Sequence, residues 1–257
     1  MTPAAPPLVI LIHGAWAGSW VWQSTAACLE AAGFWVVAID LPGVGSHPGH
    51  ASLASLESHV TAVTDVIAGS RGVYLVAHSG GGVIATAVAE ALPRQISGIV
   101  YVAGIMLPSG MSFGELCAEI ENTSPDANGI MPYLELASGS TSVPPEAGVA
   151  VFFNQAPTAD AIGASRQLGP WPDAVLSPVV TWTPDGFGSV PRLYLEAEFD
   201  RSIPLAMQRH MQQRTPGAAR ITLASDHAPQ LSQPDELLAG IRSLVRLATE
   251  SAEVLAN

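Results

Sequence analysis

Short apolar runs rich in β-branched residues alternate along the chain with longer segments of helical period, the pattern of a mostly parallel sheet covered by helices. The strands it predicts are Leu8 to Ile12, Trp35 to Ile39, Val73 to Ala77, Ile99 to Val102, Leu193 to Glu196 and Arg220 to Leu223. Several are unbroken apolar runs, as strands covered on both faces should be. Helices are predicted at about Trp22 to Ala32, Leu53 to Gly69, Gly80 to Leu92, Leu205 to Arg214 and Pro234 to Thr249, with Gly33 and Pro93 placed to end the first and third. The tail after Thr249 is expected to fray.

From about Pro108 to Pro191 this regularity fails. The stretch is rich in Pro, Gly, Ser and Met and lies between two good strands. A structureless loop that long is rare inside a compact domain, so the segment reads as a small helical cap inserted over the active site. The expected division is a core of residues 1–107 and 192–257 and a cap of residues 108–191.

Composition narrows the function classes. A chain of 257 residues, 48% hydrophobic and 12% charged, can bury a sizeable core. Yet no apolar run approaches the roughly 18 to 20 residues of a membrane span. Met1 to Pro7 carry no basic region and the run Leu8 to Ile12 is too short for a signal peptide, so a cytoplasmic location is the expectation. A formal charge of -12 repels nucleic acid and anionic membranes, and neither is expected as a partner. The sequence contains no lysine, which excludes Schiff-base chemistry, lysine-anchored pyridoxal phosphate and a P-loop lysine. Cys28 and Cys117 fall in a predicted helix and a predicted loop, suggest neither a disulfide framework nor a metal cluster, and are expected to be buried small apolar residues.

The strongest local signal is Val73-Tyr-Leu-Val-Ala-His-Ser-Gly-Gly-Gly-Val83, an apolar strand that passes at once into an apolar helix. It is similar to the nucleophile elbow, G-x-S-x-G, in which a tight strand-to-helix turn projects a serine hydroxyl above the sheet. Small neighbours are needed because strand and helix approach closely, and Gly80 and Gly81 meet that need. Ala77 replaces the usual first glycine, a departure of one methyl group. The alternative is a glycine-rich turn with an incidental serine; a dinucleotide loop fits less well, because it should follow the first strand.

A base for Ser79 is expected from the end of the chain. His227, in Ala224-Ser-Asp-His-Ala-Pro229 just past the last strand, is the candidate among the seven histidines. His13 and His78 lie inside motifs and are read as braces, while His47, His50, His59 and His210 fall in loops or on helix faces. For the acid that orients the base, Leu193-Tyr-Leu-Glu-Ala-Glu-Phe-Asp200 offers Glu196, Glu198 and Asp200, and Asp200 stands in the loop past the strand end. Asp226 is the alternative, although neighbouring side chains on an extended segment point apart.

Taken together, Leu11-Ile-His-Gly-Ala-Trp-Ala-Gly-Ser-Trp20, Ala38-Ile-Asp-Leu-Pro-Gly43, the elbow and Glu198-Phe-Asp-Arg-Ser-Ile-Pro204 resemble the α/β-hydrolase superfamily. More narrowly, they resemble its plant methylesterase and hydroxynitrile lyase branch and bacterial esterase relatives. The resemblance covers nearly the whole core and fades in the cap. It implies an α/β-hydrolase fold, a mostly parallel doubly wound sheet of about six strands, and the chain order Ser, Asp, His for the triad. It also implies an oxyanion hole made by the N–H groups of Ala15 and Gly80.

The branch holds both ester hydrolases and cyanohydrin lyases. The lyases carry threonine after the first-strand histidine and lysine after the catalytic histidine, where this chain has Gly14 and Ala228. A serine carboxylesterase acting on small apolar or aromatic esters is therefore the expected function, with a lyase or a ligand-binding receptor as alternatives. No metal or organic cofactor is implied, and the oligomeric state is left open, a homodimer included. The pocket is expected between elbow and cap, with Gly14, Trp16, Met106, Phe152, Phe153 and Trp171 as candidate walls; for the last five, core packing is an equal reading.

Overall fold

The computed structural model describes residues 6–44 and 53–256, with the side chains of Pro125 and residues 247–256 outside the description. His47 and His50 lie outside the described residues. Among those described, the elements of the first half are β1 (Leu8–Ile12), a 3-10 turn at Ser19–Trp22, α1 (Gln23–Ala31), β2 (Trp35–Ile39), α2 (Leu56–Ile67), β3 (Val73–His78), α3 (Gly81–Ala91) and β4 (Ile96–Val102). An insertion follows, with α4 (Phe113–Ile120), β5 (Glu135–Ala137), β6 (Ser140–Ser142), α5 (Pro145–Ala147), α6 (Thr158–Ser165) and β7 (Trp171–Pro172). The chain then returns through β8 (Arg192–Ala197), α7 (Leu205–Arg214), β9 (Ala218–Leu223), α8 (Pro229–Ser232) and α9 (Pro234–Ala256).

Six strands form one sheet in the order β2-β1-β3-β4-β8-β9, every neighbouring pair parallel. Successive side chains on a strand point to opposite faces, and the core divides accordingly. Leu8, Ile10 and Ile12 of β1 join the cluster that includes Val63 of α2 and Val83 and Val88 of α3. Val9 and Leu11 join the one that includes Leu29 of α1 and Leu237 and Ile241 of α9. The unbroken apolar runs in the sequence are the consequence of this two-sided cover. At the sheet edges the cover thins: Trp35 in β2 is 56% exposed and most of β9 is open to solvent.

Local chemistry sets the element ends. The Ser55 side chain accepts from the Ser58 N–H at the start of α2, and Ser58 returns the bond. Ser112 and Glu115 do the same for α4. Gly33, at φ 89°, ends α1 in a conformation that L side chains rarely adopt.

The insertion departs from the expectation in one respect. Besides its helices it contains a three-stranded antiparallel sheet, β5-β6-β7, whose strands are two or three residues long, too short to leave a period in the sequence. Three further differences concern the helices and cysteines. Helix α9 continues beyond Thr249 to Ala256. Cys117 sits on α4 rather than in a loop, and Cys28 is exposed, because α1 turns that position away from the sheet. Among the described residues, no helix is long and apolar enough to cross a membrane.

Candidate active site

The sheet's carboxyl ends gather the candidate residues. Ser79 follows β3 directly and holds φ at 51°, a left-handed conformation that a non-glycine residue keeps only when its surroundings enforce it. Those surroundings are tight. A Cβ on Gly81 would lie 2.7 Å from the His13 carbonyl oxygen, and one on Gly82 would lie 2.5 Å from that of Ile105. Helix α3 therefore presses against the ends of its neighbours, and glycine is what permits the approach. Ala77 packs with no exposure in β3, so the departure from the usual glycine is absorbed in the strand.

Past β8, Asp200 is held from both carboxylate oxygens. Oδ1 accepts the Ser202 and Ile203 N–H groups at 2.7 and 2.8 Å. Oδ2 receives His227 Nδ1 at 2.8 Å and the Gln208 side-chain amide at 3.4 Å. His227 comes from the loop after β9 and is buried at 3% exposure. With Nδ1 turned to a carboxylate, Nε2 carries the lone pair. Among the described residues no hydrogen bond joins the Ser79 hydroxyl to the His227 ring. The two are linked through His78, whose Nε2 donates to the His227 carbonyl oxygen at 2.7 Å.

Asp226 has a different occupation. Its Oδ2 accepts the N–H groups of Gln155 and Ala156 in the insertion, at 2.7 and 3.1 Å, and its Oδ1 accepts from Ala228 N–H and Ser232 Oγ. It fastens the insertion to the His227 loop instead of orienting the ring. Burial pushes its pKa above the ordinary carboxylate value, against the pull of the bonds from Gln155, Ser232 and Ala228 and of the neighbouring His227.

Ala15 and Gly80 face each other across the floor of the site: a Cβ on Gly80 would stand 3.5 Å from Ala15 N. Neither N–H is used in a turn or loop backbone bond among the described residues, and both residues line the pocket. His13 braces this turn, accepting Leu41 N–H at Nε2 and donating from Nδ1 to the Gly14 carbonyl. Burial holds its pKa down to about 4, so the ring is neutral, as that bonding pattern requires.

The pocket above Ser79 is walled by core and insertion together, about 760 Å³ of empty space when the open solvent at its mouth is counted. Trp16 and Trp171 stand on its wall. Met106, Phe152 and Phe153 are not: all three are buried in the core, where Phe152 stacks on Trp16 at 6.0 Å between centroids and lies tilted against the His227 ring at 5.2 Å. Gly14 is not on the wall either; its place is against the elbow, where an added Cβ would lie 2.7 Å from Ser79 Cβ. Sequence reasoning missed His59, Ile130, Met131 and Ser202 as lining. Helical spacing could have singled out His59, since α2 buries it with Val63 and Ile67 on one face. Nothing in the motif-poor insertion marks Ile130 or Met131.

Comparison with known proteins agrees with this architecture. The model of the alpha/beta hydrolase family matches residues 9–240. The chain is 30% identical over 254 residues to a chloroplastic Arabidopsis thaliana protein provisionally named methylesterase 11, covering 93% of this chain and 64% of that protein. It spans about half of a second such Arabidopsis methylesterase, 54%. It is 28% identical to methyl jasmonate esterase 1 of Vitis vinifera, covering 92% of this chain and 95% of that one. Among solved structures, a pyrethroid hydrolase, PytH, superposes with a TM-score of 0.80 at 25% identity over 93% of this chain and 96% of its own. Polyneuridine aldehyde esterase, at 22% identity, shares the fold with a TM-score of 0.79 over 93% of this chain and 99% of its own. The chain belongs to the alpha/beta hydrolase family.

Proposed function

We propose that this chain is a serine carboxylesterase in which Ser79 is the nucleophile, His227 the base and Asp200 the group that orients it. The observation that carries the reading is the buried Asp200 carboxylate, fixed by two backbone amides and bonded to His227 Nδ1 at 2.8 Å. That bond selects the imidazole tautomer with a basic Nε2. As Ser79 Oγ attacks the ester carbonyl carbon, its proton passes to His227 Nε2 and the carbonyl π pair moves onto oxygen. The N–H groups of Ala15 and Gly80 meet that oxyanion. Its collapse expels the alkoxide, which takes the proton back from His227 and leaves as the alcohol. Water, activated by the same base, then hydrolyses the acyl enzyme.

The esters this pocket suits are small and apolar or aromatic in the part it encloses, given walls such as Val83, Ile84, Phe113 and Leu176. The names of the relatives, a methyl jasmonate esterase and a pyrethroid hydrolase, support the same reaction class. The lyase alternative is disfavoured by geometry as well as by sequence: a threonine at position 14 would drive its Cβ into Ser79, and position 228 holds a buried alanine, 1% exposed, in place of a lysine. The cytoplasmic setting and the lack of a cofactor requirement are part of this reading.

Short-chain p-nitrophenyl esters should be turned over by the wild type and not by Ser79→Ala, with Ser79 labelled by a fluorophosphonate. Folded wild type that neither hydrolyses these esters nor is labelled would overturn the assignment.

A further inference from the structure

His59 stands on α2, apart from the strand ends that carry Ser79, Asp200 and His227, and the hydrolytic mechanism gives it no task. The residue is 1% exposed, yet it lines the same pocket as Ser79. One ring nitrogen is engaged: Nε2 lies 3.0 Å from the Pro42 carbonyl oxygen. A carbonyl oxygen only accepts, so Nε2 carries the proton and Nδ1 a lone pair. Burial lowers the pKa of the ring, which keeps it neutral and preserves that arrangement. Among the described residues Nδ1 has no hydrogen-bonding partner.

The pocket does not supply one from its indoles. Trp171, whose ring lies 5.9 Å from that of His59, commits its Nε1 to the Val175 carbonyl at 3.0 Å, and Trp16 commits its own to Thr141 Oγ1 at 3.1 Å. An acceptor left unpaired in a pocket walled mainly by apolar side chains, with Ser79, Asn128 and Ser202 its other polar members, is unfavourable unless what enters brings a donor.

We propose that His59 Nδ1 accepts a hydrogen bond from a hydroxyl or N–H on the enclosed part of the substrate, making this enzyme selective for apolar esters that carry one such donor away from the ester group. The proposal rests on the ester-hydrolase reading and deepens it. An apolar wall discriminates weakly between ligands that differ by a single polar group, whereas an acceptor left unpaired by the wrong ligand discriminates strongly. Because the Pro42 bond fixes the tautomer, the preference is for a donor: a methoxy group in place of the hydroxyl cannot satisfy it.

The test compares kcat/KM for methyl phenylacetate, its three ring-hydroxylated isomers and their methoxy counterparts. At least one hydroxylated isomer is expected to exceed both the parent and its methoxy counterpart by about tenfold or more. His59→Phe should bring that ratio near one, and His59→Gln, which keeps an acceptor, should retain part of it. Ratios within about twofold for all isomers in the wild type, or a ratio unchanged in His59→Phe, would overturn the proposal. Should His59→Phe not fold, the wild-type series and His59→Gln decide. Calorimetric binding of the same esters to Ser79→Ala separates the two readings. A preference for the hydroxylated ligand there, with no wild-type turnover, upholds the His59 role and defeats the hydrolase; turnover without preference does the reverse.

Discussion

The rings of His78 and His227 are tilted by 50° with centroids 4.7 Å apart, and His78 Nε2 is bonded to the main-chain carbonyl of His227 at 2.7 Å. His78 is the residue before Ser79, so one side chain ties the loop of the proposed base to the turn of the proposed nucleophile. Replacing it by alanine leaves a buried carbonyl unpaired, at a cost of about 1–3 kcal/mol. The expected result for His78→Ala is a lower melting temperature and a kcat reduced about tenfold to a hundredfold with KM little changed. A variant with wild-type kcat would contradict the link.

Asp200→Asn separates holding the loop from orienting the ring. Asparagine keeps an acceptor for the Ser202 and Ile203 amides, so the fold should survive. Against Nδ1 it favours the wrong tautomer, and kcat should fall on the order of 10³ to 10⁴. Circular dichroism and steady-state kinetics on one preparation check both halves.

Gly14→Thr introduces the residue found in the lyase branch. Its Cβ would lie 2.7 Å from Ser79 Cβ and 3.3 Å from His78 Nδ1. Either the elbow shifts or the strand end does, and a displacement of this kind costs on the order of a hundredfold in rate. Ester hydrolysis and fluorophosphonate labelling of Ser79 should fall together; full activity would show that the turn can give way.

Acid should destabilise the fold earlier than carboxylate titration alone would. His13, His59 and His78 are all held below the ordinary histidine pKa, with burial the largest cause. As pH falls below 6.5 the unfolded chain takes up protons that the folded chain refuses, so stability is complete above that pH and declines below it. For His13, held to about 4, the loss down to that pH is on the order of 3 kcal/mol. The raised pKa of Asp226 works the other way, but only as the carboxyl itself titrates. Thermal melts between pH 7.5 and 5 should show a decline that begins near pH 6.5; a flat profile would refute it.

The core was legible because its signals are local. An apolar run such as Leu8–Ile12 must be a strand covered twice, and Ser79-Gly80-Gly81 needs glycines wherever strand and helix meet closely. The insertion was not legible, because three strands of two or three residues and a pocket wall at Ile130 and Met131 arise from long-range packing with no period of their own. Phe152 shows the same limit: an aromatic in the insertion could wall the pocket or back the proposed base, and only the fold decides that it lies tilted against His227. Asp226 was ambiguous for a similar reason, since its partners Gln155 and Ala156 lie about seventy residues away in sequence.

His227 hangs from β9, an edge strand whose middle residues face solvent and which, among the described residues, pairs with β8 alone. Edge strands open in local fluctuations that leave the central strands intact. Warming or mild denaturant should therefore abolish the proposed esterase activity before fluorescence or circular dichroism reports melting, making turnover a finer gauge of the edge than any bulk signal. Evolution or design seeking a hardier catalyst would gain more by bracing this border than by refilling the interior.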